Sequence, residues 1–334
     1  MGGTKRGART GRWAVAVVIV LTAALVGAWA WARFGRGRHY DGRPAGYWVE
    51  QLLHDPVRAR QALRALGPDA VPALVEVVGR KRNRFWTQLE AWRSKLPRFV
   101  ARRLPNHALD QLLQERAIEV LYEFGPAAAP AVPALLGVDA SLNDFIGFGS
   151  AGLAHATLLQ IGPAGLPYFI RALGSAEPKT RAGAASYLGH LGAEAGPGAP
   201  GLARALNDAN PNVRSAAVMA LEQIGPPARA ASPELKTALG RDDDYFRLQI
   251  IRALWMVCGE SETTIPILVK MLRDRNNPNR AGAAMMLGEM GPAAAAAAPA
   301  LTDVLGEEFS YTRVKAEEAL KQIKRDPRRS EGKE

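Results

Sequence analysis

Cysteine and histidine are scarce in this chain of 334 residues, and their scarcity limits the chemistry that it can carry. The single cysteine, Cys258, excludes an intramolecular disulfide and a cysteine-rich metal site. None of the five histidines lies at metal-ligand spacing from another, and none is followed by glutamate. We therefore predict no catalytic residue, no metal site, no cofactor and no small-molecule substrate.

The clearest pattern in the sequence is a repeat with a period of 33 residues. Arginine, leucine and proline all recur at this interval in the second half of the sequence. A fixed period of this length is typical of stacked supersecondary units, each of which contacts mainly its neighbours. The arginine series is Arg181, Arg214, Arg247, Arg280 and Arg313; one leucine series is Leu188, Leu221, Leu254, Leu287 and Leu320; the proline series is Pro167, Pro200, Pro233, Pro266 and Pro299.

Residues 199–225 show what one repeat contains. Pro200 fits the first turn of a helix, where its missing N–H would be unpaired anyway. Residues 208–212 combine Asn, Asp and Pro and predict a turn, after which a second apolar helical pattern begins. Gly225 stands at the C-cap position of that helix, and Pro226 ends it. Each unit therefore reads as helix, short turn, helix and tight corner.

These patterns predict an all-α fold, an α-solenoid of about seven helix-turn-helix repeats over residues 47–323, preceded by one N-terminal transmembrane helix. We expect residues 79–108 to be an insertion that separates the first two repeats, and Arg313–Ile323 to be a final half-unit. Cys258 replaces glycine in a degenerate corner. The remaining segments are a basic tail (1–12), a basic linker (33–46) and a charged disordered tail (324–334).

The pattern resembles HEAT repeats, in the variant with a Leu/Ile-Gly-Pro corner that is found in many bacterial repeat proteins. HEAT units typically carry an acid in the turn within the repeat and an arginine at the start of the second helix. The resemblance therefore implies a structural ladder of ion pairs, within a repeat or with the next one. The acid precedes the arginine by six residues in three units: Asp208 and Arg214, Asp274 and Arg280, Glu307 and Arg313. Ser175 and Arg241 depart from the pattern by replacing the acid in two other units.

The N-terminal segment 13–32 has twenty residues and no charge, with tryptophans at both ends. At 1.5 Å per residue, a helix of this length spans a bilayer core of ~30 Å. We expect an uncleaved membrane anchor. The alternative is a cleaved signal peptide with an Ala-x-Ala site at Ala28–Ala30 or Ala30–Ala32. Four basic residues lie on each side of the segment, so the positive-inside rule does not fix its orientation.

The net charge of +11 is concentrated outside the repeats. Residues 1–43 hold eight Lys/Arg and one acid, and residues 79–108 hold nine Lys/Arg and one acid. The repeats themselves are slightly acidic, so nucleic acid is not the expected partner.

The spacing of apolar residues in the insertion 79–108 predicts a basic amphipathic helix. Its apolar face would carry Phe85, Leu89, Trp92 and Leu96. Such a helix can lie on an anionic membrane, but its apolar face can equally pack on neighbouring repeats, and basic and aromatic residues can also grip nucleic acid. The candidate membrane-surface residues are Arg80, Lys81, Arg82, Arg84, Trp86, Trp92 and Arg93.

The sequence thus predicts a non-catalytic, membrane-anchored scaffold that presents its repeats to an unidentified protein partner. Fold analogy alone leaves two alternatives, a nucleic-acid-binding protein similar to HEAT-like DNA glycosylases and an enzyme similar to bilin lyases. We expect a single-pass protein of the bacterial inner membrane with its repeats on the outer side.

Overall fold

The computed structural model describes residues 38–80, 107–138, 149–240, 244–308 and 310–324. Within them the chain is helical and forms no strand, apart from one isolated β-bridge between Tyr40 and Arg43. The predicted all-α fold is confirmed. The chain divides into two compact units, Met1–Ile161 and Gly162–Glu334.

The first unit contains three helix pairs in its described residues. The insertion falls between the two helices of the second pair, so the expectation that it separates two repeats is wrong. The corner at Gly67 comes before that pair, and its two helices pack against each other across the insertion. The helices are α1 (Ala45–Gln51), α2 (Pro56–Leu66), α3 (Val71–Val78), α4 (His107–Phe124), α5 (Val132–Val138) and α6 (Ser150–Ile161).

The second unit continues with five further helix pairs. Its last pair is complete, so Arg313–Ile323 is the second helix of a full repeat and not a half-unit. Eight pairs are therefore present in the described residues, whereas the sequence predicted about seven. The helices are α7 (Leu166–Ala172), α8 (Pro178–His190), α9 (Ala199–Ala205), α10 (Pro211–Ile224), α11 (Ser232–Ala238), α12 (Asp244–Cys258), α13 (Thr264–Arg273), α14 (Arg280–Glu289), α15 (Ala298–Leu305) and α16 (Tyr311–Ile323).

The periodic leucines form the core of this stack. Leu188, Leu221, Leu254 and Leu287 lie at equivalent positions on successive second helices and are completely buried. No single helix of this length hides such a residue by itself, so burial comes from the neighbouring pairs. The periodic leucine series therefore marks the interior of the stack.

A glycine with positive φ ends the second helix at each corner. At Gly225, φ is 68° and ψ is −140°, a combination that only glycine adopts readily. This requirement corrects the expectation for Cys258, which remains helical as the last residue of α12. Gly259 takes the corner instead, with φ of 64°. The chain adds one helical residue so that glycine reaches the position where a side chain would strain the backbone.

Two other glycines let neighbouring second helices approach closely. A Cβ at Gly189 would lie 3.1 Å from Ala220 Cα, and a Cβ at Gly288 would lie 2.9 Å from Ala319 Cα. In the two repeats between them the equivalent positions carry Glu222 and Trp255. The junctions of α8 with α10 and of α14 with α16 are therefore tight, while bulky side chains occupy this position in between.

No helix among the described residues is long and apolar enough to span a bilayer. The predicted membrane segment 13–32 and the basic tail 1–12 lie outside those residues. The same is true of residues 33–37 of the predicted linker and 325–334 of the predicted C-terminal tail.

Candidate functional site

The first ion pair of the ladder joins Arg181 of α8 to Asp208 in the turn of the following repeat. The guanidinium donates from Nε to Oδ2 at 2.7 Å and from Nη2 to Oδ1 at 2.8 Å. The two side chains are only 17% and 11% exposed. Arg181 Nη1 also donates to the carbonyl oxygen of Ser175 at 2.8 Å. This bidentate, largely buried pair ties one repeat to the next.

Arg280 of α14 and Glu307 repeat this arrangement. The guanidinium donates to the two carboxylate oxygens at 2.7 and 3.1 Å, and the side chains are 12% and 18% exposed. In addition, Arg280 Nε donates to the carbonyl oxygen of Leu272 at 2.8 Å. In both pairs the acid follows the arginine by 27 residues. The ladder therefore runs between neighbouring repeats.

The six-residue spacing has a different structural meaning. Arg214 Nη1 donates to the backbone carbonyl oxygen of Asp208 at 3.0 Å, and Arg313 Nη1 lies 3.5 Å from that of Glu307. Each acid thus offers its carboxylate to the preceding repeat and its carbonyl to the arginine of its own repeat. Arg214 also places its guanidinium over the ring of Phe246, 5.9 Å from the centroid.

Asp274 departs from the predicted ladder. It is exposed, its Oδ1 accepts the backbone N–H of Asn276 at 3.0 Å, and it joins no ion pair among the described residues. The cause lies in the start of the following helix. Helices α8 and α10 begin three residues before their arginine, whereas α14 begins at Arg280 itself. The longer turn leaves Asp274 in solvent.

Both paired carboxylates are held in their ionised form. The hydrogen bond from Arg181 lowers the pKa of Asp208, against the opposing effect of burial. The hydrogen bond from Arg280 lowers the pKa of Glu307 in the same way. These groups are suited to hold the stack together, because neither is poised to exchange a proton near neutral pH.

Two further ion pairs lie on the second helices of the first unit and were not predicted. Arg60 pairs with Glu119, and Arg64 Nε lies 2.8 Å from Glu123 Oε2, so both pairs join α2 to α4. Each pair spans 59 residues, which is one period once residues 81–106 are set aside. The insertion hid this periodicity. The sequence signal that remained for these pairs was the spacing of four residues between the two arginines of α2 and between the two glutamates of α4.

Three exposed methionines lie on successive second helices of the second unit, and the sequence did not predict that they face solvent. Met219 of α10, Met256 of α12 and Met285 of α14 are 51%, 48% and 41% exposed. Trp255 precedes Met256 in the chain and is half-buried. We call these four residues the methionine patch. Apart from Tyr311, no other large apolar residue is exposed among the described side chains of this unit.

Three charged residues run through the methionine patch. Arg252 of α12 holds the repeat position equivalent to Met219 and Met285, and its Nε lies 2.9 Å from Glu222 Oε1 on α10 and 3.8 Å from Glu289 Oε2 on α14. Burial raises the pKa of the Glu222 carboxyl; Arg252 acts against this rise, and Glu289 adds to it. Two carboxylates therefore share one guanidinium, and the patch has an excess of negative charge.

The sequence did contain a signal for this patch. Met219, Arg252 and Met285 lie one period apart, at equivalent positions of three successive repeats. Methionine and leucine both read as core residues in a helical pattern, so the sequence alone did not show that this series faces solvent.

The predicted membrane-surface residues are mostly beyond the reach of the structure. Arg80 is exposed just after α3. The others, Lys81, Arg82, Arg84, Trp86, Trp92 and Arg93, lie outside the described residues. In the part of the chain that is described, no group of His, Cys, Asp or Glu side chains is arranged to hold a metal ion.

A family model of HEAT repeats matches residues 166–255 and 232–321. An engineered protein of known structure is 20% identical, with a TM-score of 0.42 and coverage of 62% of this chain and 96% of that one. The complex of CpcE and CpcF of phycocyanin lyase from Nostoc sp. PCC7120 is 20% identical, with a TM-score of 0.35 and coverage of 73% of this chain and 96% of that one. Kap95p in its complex with RanGDP is 13% identical, with a TM-score of 0.43 and coverage of 82% of this chain and 41% of that one. No curated protein matches the chain.

The family match covers the same residues in which the periodic leucines, the glycine corners and the arginine ladder coincide. Residues 166–321 of this chain are therefore HEAT repeats.

Proposed function

We propose that this chain is a non-catalytic, membrane-anchored scaffold that holds a protein partner on the solvent-facing side of its second helices. The methionine patch is the observation that carries the proposal. Three methionines exposed by 41–51% on adjacent helices form an apolar surface in a row of otherwise polar positions. Exposed apolar clusters rimmed by polar residues mark interaction sites, and methionine is favoured where a surface must adapt to its partner.

The rest of the second unit suits a rigid support for such a surface. The ladder pairs and the close glycine contacts hold α10 to α8 and α14 to α16, so they brace the two outer helices of the patch from either side. Within the patch, Arg252 of α12 connects to Glu222 of α10 and Glu289 of α14. Bracing of this kind limits the conformational entropy that a surface loses when a partner binds.

A photo-crosslinking comparison in the native cell tests the scaffold. We expect p-benzoylphenylalanine at Met256 to give a covalent adduct with a specific protein. The same group at Lys270 serves as the matched control, because this exposed residue lies on α13, which is the first helix of its pair. Adducts that are absent at both positions, or identical at both, would rule out a partner held on the second helices.

The membrane part of the proposal rests on residues 13–32. We propose that this uncharged segment anchors the chain in the bacterial inner membrane with the repeats on the outer side. We expect the full-length chain to stay with membranes through a carbonate wash, whereas a chain that starts at Arg33 is released. Protease added to spheroplasts should digest the repeats. A mature protein that begins near Trp31 or Arg33 would instead establish a signal peptide, and protected repeats would reverse the orientation.

A further inference from the structure

We infer that the methionine patch binds a basic amphipathic α-helix of the protein partner. This inference rests on the proposed scaffold function and specifies its surface and its ligand. It follows from three properties of the patch: its apolar side chains, its unbalanced charge and its dimensions.

The apolar side chains require an apolar partner face. Met219, Met256 and Met285 each leave about half of their surface in water, and Trp255 adds a half-buried ring. Their burial by a partner is favourable by about 25 cal/mol per Å² of apolar surface. Methionine has three flexible torsions and a polarisable sulfur, so the patch can adapt to leucine-like side chains without a fixed shape.

The charge requires a cationic partner. Glu222 and Glu289 face the same guanidinium of Arg252, so among the described residues two carboxylates at the patch share one cation. The Glu222 side chain is only 23% exposed, so its charge is poorly solvated, and this burial raises its pKa. A lysine or arginine placed beside it would supply the missing counterion. The net charge of +11 lies mainly in residues 1–43 and 79–108, so this acidic spot belongs to the slightly acidic repeats.

The distance across the patch favours a bound helix. So do its side chains, because methionines offer no hydrogen-bond partners to the backbone of a bound peptide. Met219 and Met285 lie two helix spacings apart, about 16–20 Å. A helix covers that distance with about 11–13 residues at 1.5 Å per residue. An extended peptide would need partners for its N–H and C=O groups, whereas a helix satisfies its own backbone and presents only side chains to the methionines.

Methionine oxidation of the purified full-length chain in uncharged detergent tests the inference. The probe is an 18-residue helical peptide of leucine and lysine with leucines on one face. The control is the same peptide with glutamate in place of lysine. Hydrogen peroxide should oxidise Met219, Met256 and Met285 quickly, and mass spectrometry reports each site. Met271, Met286 and Met290 are at most 5% exposed and serve as internal references.

We expect the lysine peptide to slow oxidation of the three patch methionines about fivefold at a concentration of about four times Kd, since about one-fifth of the sites then remain free. The buried references should not change. A double variant, Glu222→Gln with Glu289→Gln, should raise the protecting concentration about tenfold, because it removes the charge complementarity. Unchanged oxidation of the references in this variant shows that its fold is intact.

Three results would overturn the inference: no protection by the lysine peptide, equal protection by the glutamate peptide, or stronger protection by phosphatidylglycerol vesicles than by the peptide. The vesicle result would make the patch a membrane surface. The scaffold itself is judged separately. It survives a failed peptide test if crosslinks form at Met256 but not at Lys270, and it falls if neither position gives a specific adduct.

Discussion

Replacing Asp208 with alanine should lower the free energy of unfolding by about 2–4 kcal/mol, because it leaves a largely buried guanidinium without its bidentate partner. The Arg181 side chain is only 17% exposed, so water replaces the lost carboxylate poorly. The matched variant Asp274→Ala should cost less than about 1 kcal/mol, since its carboxylate is exposed and accepts only one turn N–H. Urea unfolding of the two variants measures the difference. Equal losses would show that the pair between Arg181 and Asp208 has no special role in holding the repeats together.

The pH dependence of the same pair gives an independent readout. Because the folded pKa of Asp208 is lowered, its contribution is fully present above the ordinary pKa of an aspartate and is lost as the pH falls through the folded value. The difference in stability between the native chain and Asp208→Ala should therefore be constant from about pH 5 to 7 and should shrink below about pH 4. A difference that persists unchanged at pH 2 would mean that the carboxylate charge is not what stabilises the pair.

Replacing the corner glycine Gly225 with alanine should destabilise the second unit by about 1–3 kcal/mol, since its φ of 68° and ψ of −140° strain any residue with a Cβ. The nearest atom to the added Cβ would be Met256 O at 3.8 Å, so the cost comes from the backbone and not from a clash. Gly174→Ala is the control. Its φ lies outside the left-handed region and its Cβ would lie 3.5 Å from Arg171 O. We expect the control to be neutral or to gain up to about 1 kcal/mol, because alanine restricts the unfolded chain. A thermal unfolding series in which both variants behave alike would contradict this account of the corner.

The fold could be predicted from the sequence because each structural requirement recurs once in every period. The buried leucines, the prolines in the first turn and the glycine corners all repeat the same physical need in each unit. The prediction was wrong where counting 33 residues leads to a position that cannot adopt the backbone conformation of the corner. Counting placed Cys258 at a corner, but that corner needs a glycine, and Gly259 supplies it one residue later. The insertion was misplaced for a related reason, since it lies outside the periodic part of the chain.

The direction of the ladder could not be read from spacing. An acid that shortly precedes the arginine of its own repeat also follows the arginine of the preceding repeat at a fixed distance, so the two arrangements share one sequence pattern. The structure distinguishes them at Asp208, whose carboxylate bonds Arg181 while its carbonyl bonds Arg214. The methionine patch was missed because the period shows which residues are equivalent and not which of them face solvent.

The offset of 27 residues between Arg181 and Asp208 has a consequence for how such an array can lengthen. Residues 192–224 form one complete unit that contains both Asp208 and Arg214. A tandem duplication of this segment would place a copy of Asp208 at the same offset after Arg214, where the present chain has Arg241. The new junction would then contain a complementary pair without any further substitution. A foreign unit that lacks an acid in its turn would leave the preceding arginine without a carboxylate. Tandem duplication therefore preserves ion pairing that exchange between unrelated arrays would break.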